Sequence, residues 1–426
     1  MKTAIVNGRI VTTTGIKKAT LVMDNSKISA IVPGRVNADY IEDAKGAYVL
    51  PGFFDTHLHG GGGYDSSGGR YDIKNREFVK NEEERRKGIE VILREHAKHG
   101  TTSMILSTAT NSEENMTGFM KNASYFVNNY SGGAKLIGMD IEGVFIKEPA
   151  YAGAQSLKYM KEPDTGLFDR LMDAAGGNIK RILVAPEWGD SAIKFIKHLV
   201  KHGVIPGVGH SGASYEEFMR AYDAGVKVLI HFGNGPLSQN FKGGGVIDAA
   251  YFLKDRIYAE LICDYYHVNP RWLVTFLKTF KEKAIGITDA MFTVGCAGKL
   301  KEFEQGGKIC VVEKEVLRLK GAPNVLFGSM LTTGKAFQNF LNIYMHNVDG
   351  YLTGPLNERP VTLDTAVEKT SRLLSLNPAK LYSLDKAIGT LEKGKSADIV
   401  VLDIKKSGSD YKCGIKKVFV SGEKVD

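Results

Sequence analysis

The amino-acid sequence predicts an α/β fold, a TIM-like (β/α)8 barrel with a small β domain built from both termini. Eight short apolar runs alternate with helical patterns through the middle of the 426-residue chain. This alternation is typical of a parallel sheet that is buried on both faces. Strand-like segments also occur at both ends of the chain, and neither end has enough of them to form a stable sheet alone. A doubly wound open sheet is the alternative architecture.

The barrel strands are predicted from the apolar runs, and the helices from the amphipathic segments between them. We expect the strands at residues 52–55, 103–108, 136–141, 181–185, 205–209, 228–231, 258–262 and 284–288. We expect helices at residues 81–99, 113–129, 166–175, 190–201, 214–224, 246–253 and 270–280, with further amphipathic segments at 330–344 and 363–376. The glycine-rich, charged stretch 60–86 predicts a long loop over the first strand, either mobile or ligand-covering.

The small β domain is predicted from both ends of the chain. Near the start, Asn7-Gly8 separates two apolar segments, and this pair predicts a hairpin because both residues tolerate a positive φ. Strand-like segments at 397–402 and 417–420 would complete the sheet. The predicted division therefore assigns residues 1–51 and 383–426 to the β domain and residues 52–382 to a metal-dependent hydrolase barrel.

Composition and charge narrow the class of protein. The hydrophobic share of 43% and the charged share of 24% are those of a soluble globular chain. The net charge of +8 comes from lysines and arginines that are spread along the chain. This pattern argues against a nucleic-acid partner and fits an anionic small substrate. No apolar run approaches the roughly 20 residues of a membrane span. Four cysteines without C-x-x-C spacing and a start without a signal-like segment predict a cytoplasmic protein.

Two histidines stand at the end of the first predicted barrel strand. The apolar run that begins at Pro51 leads to His57 and His59. Residues two apart in a strand point to the same face, so the two imidazoles would converge. Imidazole nitrogens are common ligands of zinc and similar ions. Two solvated loop histidines beside a glycine turn are the alternative interpretation of this short pattern.

Further polar residues follow the other predicted strands. Glu142 follows the third strand, His210 the fifth, His231 the sixth and Asp289 the eighth. Active sites of (β/α)8 barrels lie at the carboxyl ends of the strands, so these side chains should meet the two histidines at one mouth. Four histidines and two carboxylates together predict a divalent metal site. The histidines of helical segments are expected to be solvated instead: His96, His99, His198 and His202.

The same residues carry a resemblance to a known family. The motifs are Pro51–His59, Glu142-Gly143, Gly209-His210-Ser211, His231 with Asn234, Leu261–Asp264 leading to His267, Thr288–Met291, Asn377–Lys380 and Ile388–Asp398. Together they resemble the amidohydrolase superfamily over nearly the whole chain. Within it they are most similar to the deacetylases of acetylated hexosamine 6-phosphates.

The resemblance implies an activity and a metal site. The activity is metal-dependent hydrolysis of N-acetylglucosamine 6-phosphate to glucosamine 6-phosphate and acetate. Glu142, His210 and His231 would hold the principal ion, and His57 and His59 a second ion that some members lack. Zinc is the expected ion, with iron, manganese or cobalt as alternatives and one or two ions per subunit. The implied metal ligands are His57, His59, Glu142, His210, His231 and Asp289.

The resemblance also implies which residues act on the substrate. Asp289 would be the general base that activates water and then protonates the leaving amine. His267 would contact the sugar or polarise the amide carbonyl, and Asn234 and Gly235 would offer backbone amides to a phosphate. Lys242 falls where the family carries an arginine that reaches the phosphate from a neighbouring subunit, which implies a homodimer.

Some residues depart from the family pattern and leave the substrate open. Val144 replaces a proline, Gly235-Pro236 replaces Ala-Met, and Lys242 replaces an arginine and so lacks its fork of donors. These changes spare the metal ligands and touch the substrate side. The alternative functions are deacetylation of N-acetylgalactosamine 6-phosphate, hydrolysis of a different amide, and a non-catalytic binding role.

Overall fold

Eight parallel strands form the barrel at the centre of the molecule. The computed structural model describes residues 1–127, 129–234, 238–239, 242–296, 298–345 and 361–425. Successive barrel strands pair in parallel in chain order, as predicted. Barrel strands 1 to 8 are Phe53–Leu58, Thr101–Thr108, Lys135–Phe145, Ile179–Val184, Ile205–Val208, Val228–Leu229, Tyr258–Ile262 and Ala284–Ile287.

Barrel strands 1 and 8 meet just beyond strand 8. The amide of Asp289 donates to the carbonyl of His57 at 2.9 Å, and Leu58 pairs with Ala290 in a short parallel bridge. The sheet therefore closes on itself, and the fold is a barrel rather than an open doubly wound sheet. Because the closure uses the backbone of His57 and Asp289, it also fixes the spacing of two predicted site residues.

Helices alternate with the barrel strands and begin at capping residues. Four helices begin at a side chain that accepts a hydrogen bond from the backbone N–H three residues later, namely Asn81, Ser112, Asp164 and Ser214. This bond satisfies a backbone N–H of the first turn that has no partner within the helix. None of the helices in the described part of the chain is long and apolar enough to cross a membrane. Helices α1 to α10 are Glu82–Lys98, Glu113–Ser124, Thr165–Ala174, Asp190–Lys201, Tyr215–Ala224, Val246–Phe252, Pro270–Phe280, Thr333–Met345, Leu363–Ser371 and Asn377–Leu381. A π-helical segment, Arg372–Leu376, joins the last two.

Both termini contribute to one β domain, as predicted. The C-terminal strand Ile399–Ser407 pairs with Tyr48–Pro51, which lies beside Lys2–Thr12 in the same sheet. The exact boundaries at residues 51/52 and 382/383 stay a prediction. The eight strands of this domain are Lys2–Thr12, Gly15–Asp24, Lys27–Val32, Tyr40–Asp43, Tyr48–Pro51, Ile399–Ser407, Asp410–Val420 and Glu423–Val425.

The predicted hairpin at Asn7-Gly8 is wrong. Lys2–Thr12 is one continuous strand, and the chain turns only before Gly15. Its pairing with the next strand shifts register between Ile5 and Gly8. Asn7 does have a positive φ of 55°, but it serves a bulge within the strand instead of a turn.

The stretch 60–86 is an ordered small sheet followed by the start of helix α1, so the predicted loop is wrong. Its strands are Gly60–Gly61, Tyr64–Asp65, Gly69–Asp72 and Glu77–Val79. The amides of Gly62 and Gly63 donate to the carbonyls of Val294 and Phe292 at 2.7 and 2.8 Å. A Cβ on Gly60 would lie 2.3 Å from the carbonyl oxygen of Tyr64. The glycines therefore allow close backbone packing here and do not mark a loose segment.

A second small sheet, which was not predicted, follows barrel strand 8. It consists of Glu302–Gln305, Lys308–Glu313, Val316–Leu319 and Ala322–Ser329, and we call it the inserted sheet. Its last residue is tied to the end of barrel strand 8. The amide of Ser329 donates to the carbonyl of Asp289 at 2.8 Å, and the amide of Met291 donates to Ser329 at 2.9 Å. The inserted sheet is thus fixed beside a predicted site residue.

Candidate active site

The structure brings all six predicted ligands together at the mouth of the barrel. They lie near the end of, or just after, barrel strands 1, 3, 5, 6 and 8, and each residue is at most 6% exposed. Loss of water from so many polar groups is costly unless they satisfy one another or hold an ion. The six are His57, His59, Glu142, His210, His231 and Asp289.

Glu142 lies at the centre of this cluster. Its Oε1 is 2.9 Å from Nε2 of His231 and 3.2 Å from Nε2 of His210. Its Oε2 is 3.2 Å from Nε2 of His59 and accepts a hydrogen bond from Gln155 at 2.8 Å. One carboxylate therefore contacts imidazoles from three different barrel strands.

Asp289 forms the other acidic side of the cluster. Its Oδ1 lies 3.2 Å from Nε2 of His59 and 3.6 Å from Nε2 of His57. His57 in turn lies 3.9 Å from Glu142, between the two acids. The ligand atoms of His57, Glu142 and His231 lie within 4.8 Å of one another, and so do those of His57, His59 and Asp289. The mouth thus offers two overlapping sets of ligand atoms.

The hydrogen bonds of two histidines show that this donor set fits a cation. Nδ1 of His210 faces the carbonyl of Tyr151 at 2.8 Å, and Nδ1 of His231 faces the carbonyl of Asn234 at 3.1 Å. A carbonyl only accepts, so each Nδ1 carries the hydrogen, and a neutral ring then has a lone pair at Nε2. That lone pair points at the carboxylate of Glu142, which also only accepts. The arrangement is favourable when a proton or a metal ion lies between each ring and the carboxylate.

The pKa values of the cluster reflect the same mutual attraction. Burial raises the pKa of Glu142, but hydrogen bonds with His210 and His231 outweigh burial and hold it well below its usual value. Burial likewise raises the pKa of Asp289, and the hydrogen bond with His59 brings it below its usual value. Burial lowers the pKa of His59, but bonds to Asp289 and Glu142 raise it well above its usual value. Both acids are therefore carboxylates at neutral pH, the form that binds metal ions.

Three of the six residues have a left-handed backbone. His210, His231 and Asp289 have φ values of 48°, 35° and 52°. Side chains other than glycine adopt this region rarely and at a cost of about 1–3 kcal/mol each. Each of these residues follows the end of a barrel strand, where the chain turns sharply. The turn points their side chains inward over the barrel mouth.

Five residues of the cluster, all except His57, line the floor of a cavity of about 430 Å³. One wall comes from the segments that follow barrel strands 3 and 7, and the other from the inserted sheet. This volume suits a small molecule of the size of a sugar derivative. Its lining includes Ala109, Gly153, Ala154, Gln155, Asn234, Tyr266, His267, Met291, Arg318 and residues 324–328.

The predicted substrate residues have different positions. His267 lines the cavity; its Nδ1 lies 2.6 Å from Oδ2 of Asp264, and its Nε2 is buried without a hydrogen-bond partner in the described part of the chain. Asn234 also lines the cavity. Lys242 is exposed and is not among the described residues that line it. Gly235 lies outside the described residues.

Sequence reasoning missed Arg318, a cation in the wall of the cavity. It stands in the inserted sheet, where Nη1 donates to the carbonyl of Pro323 at 2.6 Å and Nε lies 3.3 Å from Oε2 of Glu313. Among the described residues that line the cavity, Arg318 is the one arginine or lysine. No signal pointed to it, because the strand-end rule covers barrel strands alone.

The prediction that the helix histidines are solvated is wrong for His96. This residue is completely buried, and its Nε2 lies 2.8 Å from the carbonyl of Gly60. Burial lowers its pKa to about 4. His96 therefore helps to hold the small sheet of residues 60–79 against helix α1. His99 and His198 are partly exposed and His202 is exposed, as predicted.

A (β/α)8 barrel with histidines and carboxylates at its mouth is typical of one class of proteins, the barrel hydrolases whose active site binds a metal ion. The sequence pattern of the amidohydrolase family matches residues 48–425, and the chain belongs to that family. It is therefore a hydrolase of amide bonds. Members of the family generally depend on a divalent metal, and the mouth described above supplies candidate ligands.

Named relatives are similar over most of the chain. An N-acetylgalactosamine-6-phosphate deacetylase of Escherichia coli O157:H7 is 27% identical over 380 residues, 88% of each chain. An N-acetylglucosamine-6-phosphate deacetylase of Bacillus subtilis is 27% identical and covers 91% of this chain and 89% of its own. The crystal structure of N-acetyl-D-glucosamine-6-phosphate deacetylase from Mycobacterium smegmatis is 26% identical, with a TM-score of 0.80 and full coverage of both chains.

Neutralising the central carboxylate is expected to remove metal-dependent stability. A ligand at one hundred times its Kd stabilises a protein by about 2.7 kcal/mol, so added zinc should raise the unfolding midpoint of EDTA-treated wild type. Glu142→Gln should lose most of this increment in thermal unfolding. The control is Glu95→Gln, which removes a half-buried carboxylate paired with Lys98 on helix α1. An increment in Glu142→Gln as large as in wild type would contradict a central role for Glu142.

Proposed function

We propose that this protein removes the acetyl group of N-acetylglucosamine 6-phosphate and releases glucosamine 6-phosphate and acetate. The observation that carries the proposal is the cluster of two carboxylates and four imidazoles at the floor of a cavity of about 430 Å³. Relatives with this activity in their names match about nine tenths of the chain. A variant of the Mycobacterium smegmatis enzyme is known in complex with N-acetyl-D-glucosamine 6-phosphate.

Deacetylation of N-acetylgalactosamine 6-phosphate is the second candidate. A relative of that name is as similar to this chain as the glucosamine enzymes are. The two sugars differ only in the orientation of one hydroxyl group. The inserted sheet, which forms one wall of the cavity, would decide between them.

The cluster would hold one or two divalent ions, with zinc as the proposed metal. Glu142, His210 and His231 form the principal set, and His57 and His59 form the second. Asp289 is close enough to contribute to the second set. When bound, such an ion lowers the pKa of water and polarises the amide carbonyl.

Asp289 would carry the proton during the reaction. It is a carboxylate at neutral pH, so one of its oxygens accepts a proton from the attacking water. The same oxygen then returns the proton to the amide nitrogen, and the amine leaves. The hydrogen bond from the backbone amide of Asp289 to the carbonyl of His57 keeps this carboxylate beside the histidines of barrel strand 1.

His267 would orient the substrate. Its Nδ1 is anchored by Asp264, which fixes the direction of Nε2. Nε2 has no partner in the described part of the chain, so it is available to the sugar or to the amide carbonyl.

Asn234, Gly235, Lys242 and Arg318 would bind the phosphate. Arg318 acts from within the same chain, since it lines the cavity. Lys242 is exposed and would reach the phosphate from a neighbouring subunit, so we propose a homodimer. We also propose a cytoplasmic location, because the four cysteines are unpaired, as is usual in a reducing compartment.

The function is tested by comparing four substrates with the zinc-loaded protein. N-Acetylglucosamine 6-phosphate, its galactosamine epimer and the two unphosphorylated sugars should be assayed for acetate release at equal concentrations. We expect the phosphorylated glucosamine derivative to have the highest kcat/KM. A higher value for the epimer would select the second candidate. Equal values with and without phosphate, or turnover of none of the four, would contradict the proposal.

Replacing the proposed proton carrier should strongly reduce turnover but leave the metal bound. Asp289→Asn keeps the shape of the side chain and removes its ability to accept a proton. We expect kcat to fall about 10²–10⁴-fold, the usual contribution of a general acid-base group. Elemental analysis should still find metal bound, since Glu142, His210 and His231 are intact. Near wild-type turnover in this variant would overturn the role of Asp289.

Removing the cavity arginine should weaken recognition of the phosphate. We expect Arg318→Gln to lower kcat/KM for the phosphorylated substrate about 10–150-fold, the value of a hydrogen bond to a charged group, mainly through KM. Turnover of the unphosphorylated sugar should change little. Arg220→Gln, an exposed arginine paired with Asp190, is the matched control. Equal losses on both substrates would show that Arg318 does not act on the phosphate.

A further inference from the structure

A charged layer lies inside the barrel. Asp140, Arg181 and Glu260 belong to barrel strands 3, 4 and 7, and none of the three is exposed to solvent. The interior of such barrels is usually filled by branched apolar side chains. Buried charges are costly and persist only where they are well paired. This layer therefore calls for an explanation beyond packing.

Arg181 links the two acids of the layer. Its Nε donates to Oδ1 of Asp140 at 3.0 Å and its Nη2 to Oδ2 at 2.7 Å, which is a bidentate pair. Its Nη1 donates to Oε1 of Glu260, which also accepts a hydrogen bond from Thr56 at 2.6 Å. The position of the Asp140 carboxylate is thereby fixed in two directions.

The fixed carboxylate contacts the histidine at the centre of the mouth. Oδ2 of Asp140 lies 3.3 Å from Nδ1 of His57 and accepts a hydrogen bond from Ser107 at 2.9 Å. Arg181 Nη2 lies against the same ring nitrogen. On the opposite edge of the ring, Nε2 of His57 is buried without a hydrogen-bond partner in the described part of the chain and lies 3.6 Å from Asp289.

We propose that Asp140, held by Arg181, is a positioning residue that sets the ring of His57 for metal binding. The carboxylate lies beside Nδ1 together with Nη2 of Arg181, so Nε2 on the opposite edge of the ring faces Glu142 and Asp289. Carboxylates that hold metal-binding histidines in this way usually change metal affinity 10–100-fold when they are removed. The inference rests on the proposed metal role of His57. It adds that Asp140 orients the His57 ring for an ion.

The layer contains its own control. Glu260 is as buried as Asp140 and pairs with the same arginine, but no hydrogen bond or ion pair in the described part of the chain joins it to His57. Asp140→Asn and Glu260→Gln therefore remove the same charge from Arg181, and only the first alters a contact of His57. A purely structural layer would respond alike to both changes.

The test is the zinc affinity of both variants in the full chain, measured by competition with a chelator and read against thermal unfolding of the metal-free proteins. We expect Asp140→Asn to weaken zinc binding about 10–100-fold and Glu260→Gln to change it less than about threefold. Equal effects on affinity in the two variants would overturn the proposal. A wild type that binds none of zinc, iron, manganese and cobalt would instead refute the proposed metal-dependent function.

A milder pair of variants covers the case in which a charge variant does not fold. Ser107→Ala removes the hydrogen bond to Oδ2 of Asp140 and the 3.4 Å contact of Ser107 Oγ with Nδ1 of His57, and Thr56→Val removes the hydrogen bond to Oε1 of Glu260. We expect only Ser107→Ala to weaken zinc binding and to change the visible absorption spectrum of the cobalt-loaded protein, which reports on the ligands. Identical affinities and spectra in the two variants would overturn the proposal.

Discussion

The buried negative charge of Glu142 is the constraint on which the site depends. A carboxylate removed from water must be balanced by donors or by a cation, and Glu142 meets imidazoles from barrel strands 1, 5 and 6. These imidazoles reach it because the chain turns sharply after strands 5 and 6, where His210 and His231 adopt a left-handed backbone. Strained backbone of this kind persists where the surrounding structure holds it in place.

The candidate metal ligands and the far wall of the cavity belong to different parts of the fold. The barrel strands carry the ligands, and the closure between His57 and Asp289 holds them at a fixed spacing. The far wall of the cavity, including Arg318, comes from the inserted sheet, which joins the barrel through Ser329. Changes in that sheet can alter which molecule fits without disturbing the ligands.

The sequence predicted the barrel and the six side chains at its mouth, because both follow from simple periodicities. An apolar run predicts a buried strand, and a polar residue directly after it predicts a position at the barrel mouth. Long-range pairing of short polar segments has no such signal, so the inserted sheet and the sheet of residues 60–79 were missed. Asn7 was misread because a positive φ suits a bulge as well as a turn. The burial of Arg181 could not be predicted, since a charged residue within a strand usually faces solvent.

The sharing of one sheet by both ends of the chain has a consequence for biosynthesis. Tyr48–Pro51 is a buried apolar strand, and its partner Ile399–Ser407 is made about 350 residues later. At about 5–20 residues per second, the ribosome needs roughly 20–70 seconds to produce that partner. During this interval the nascent N-terminal sheet presents an uncovered apolar edge, the kind of surface that aggregates or recruits chaperones.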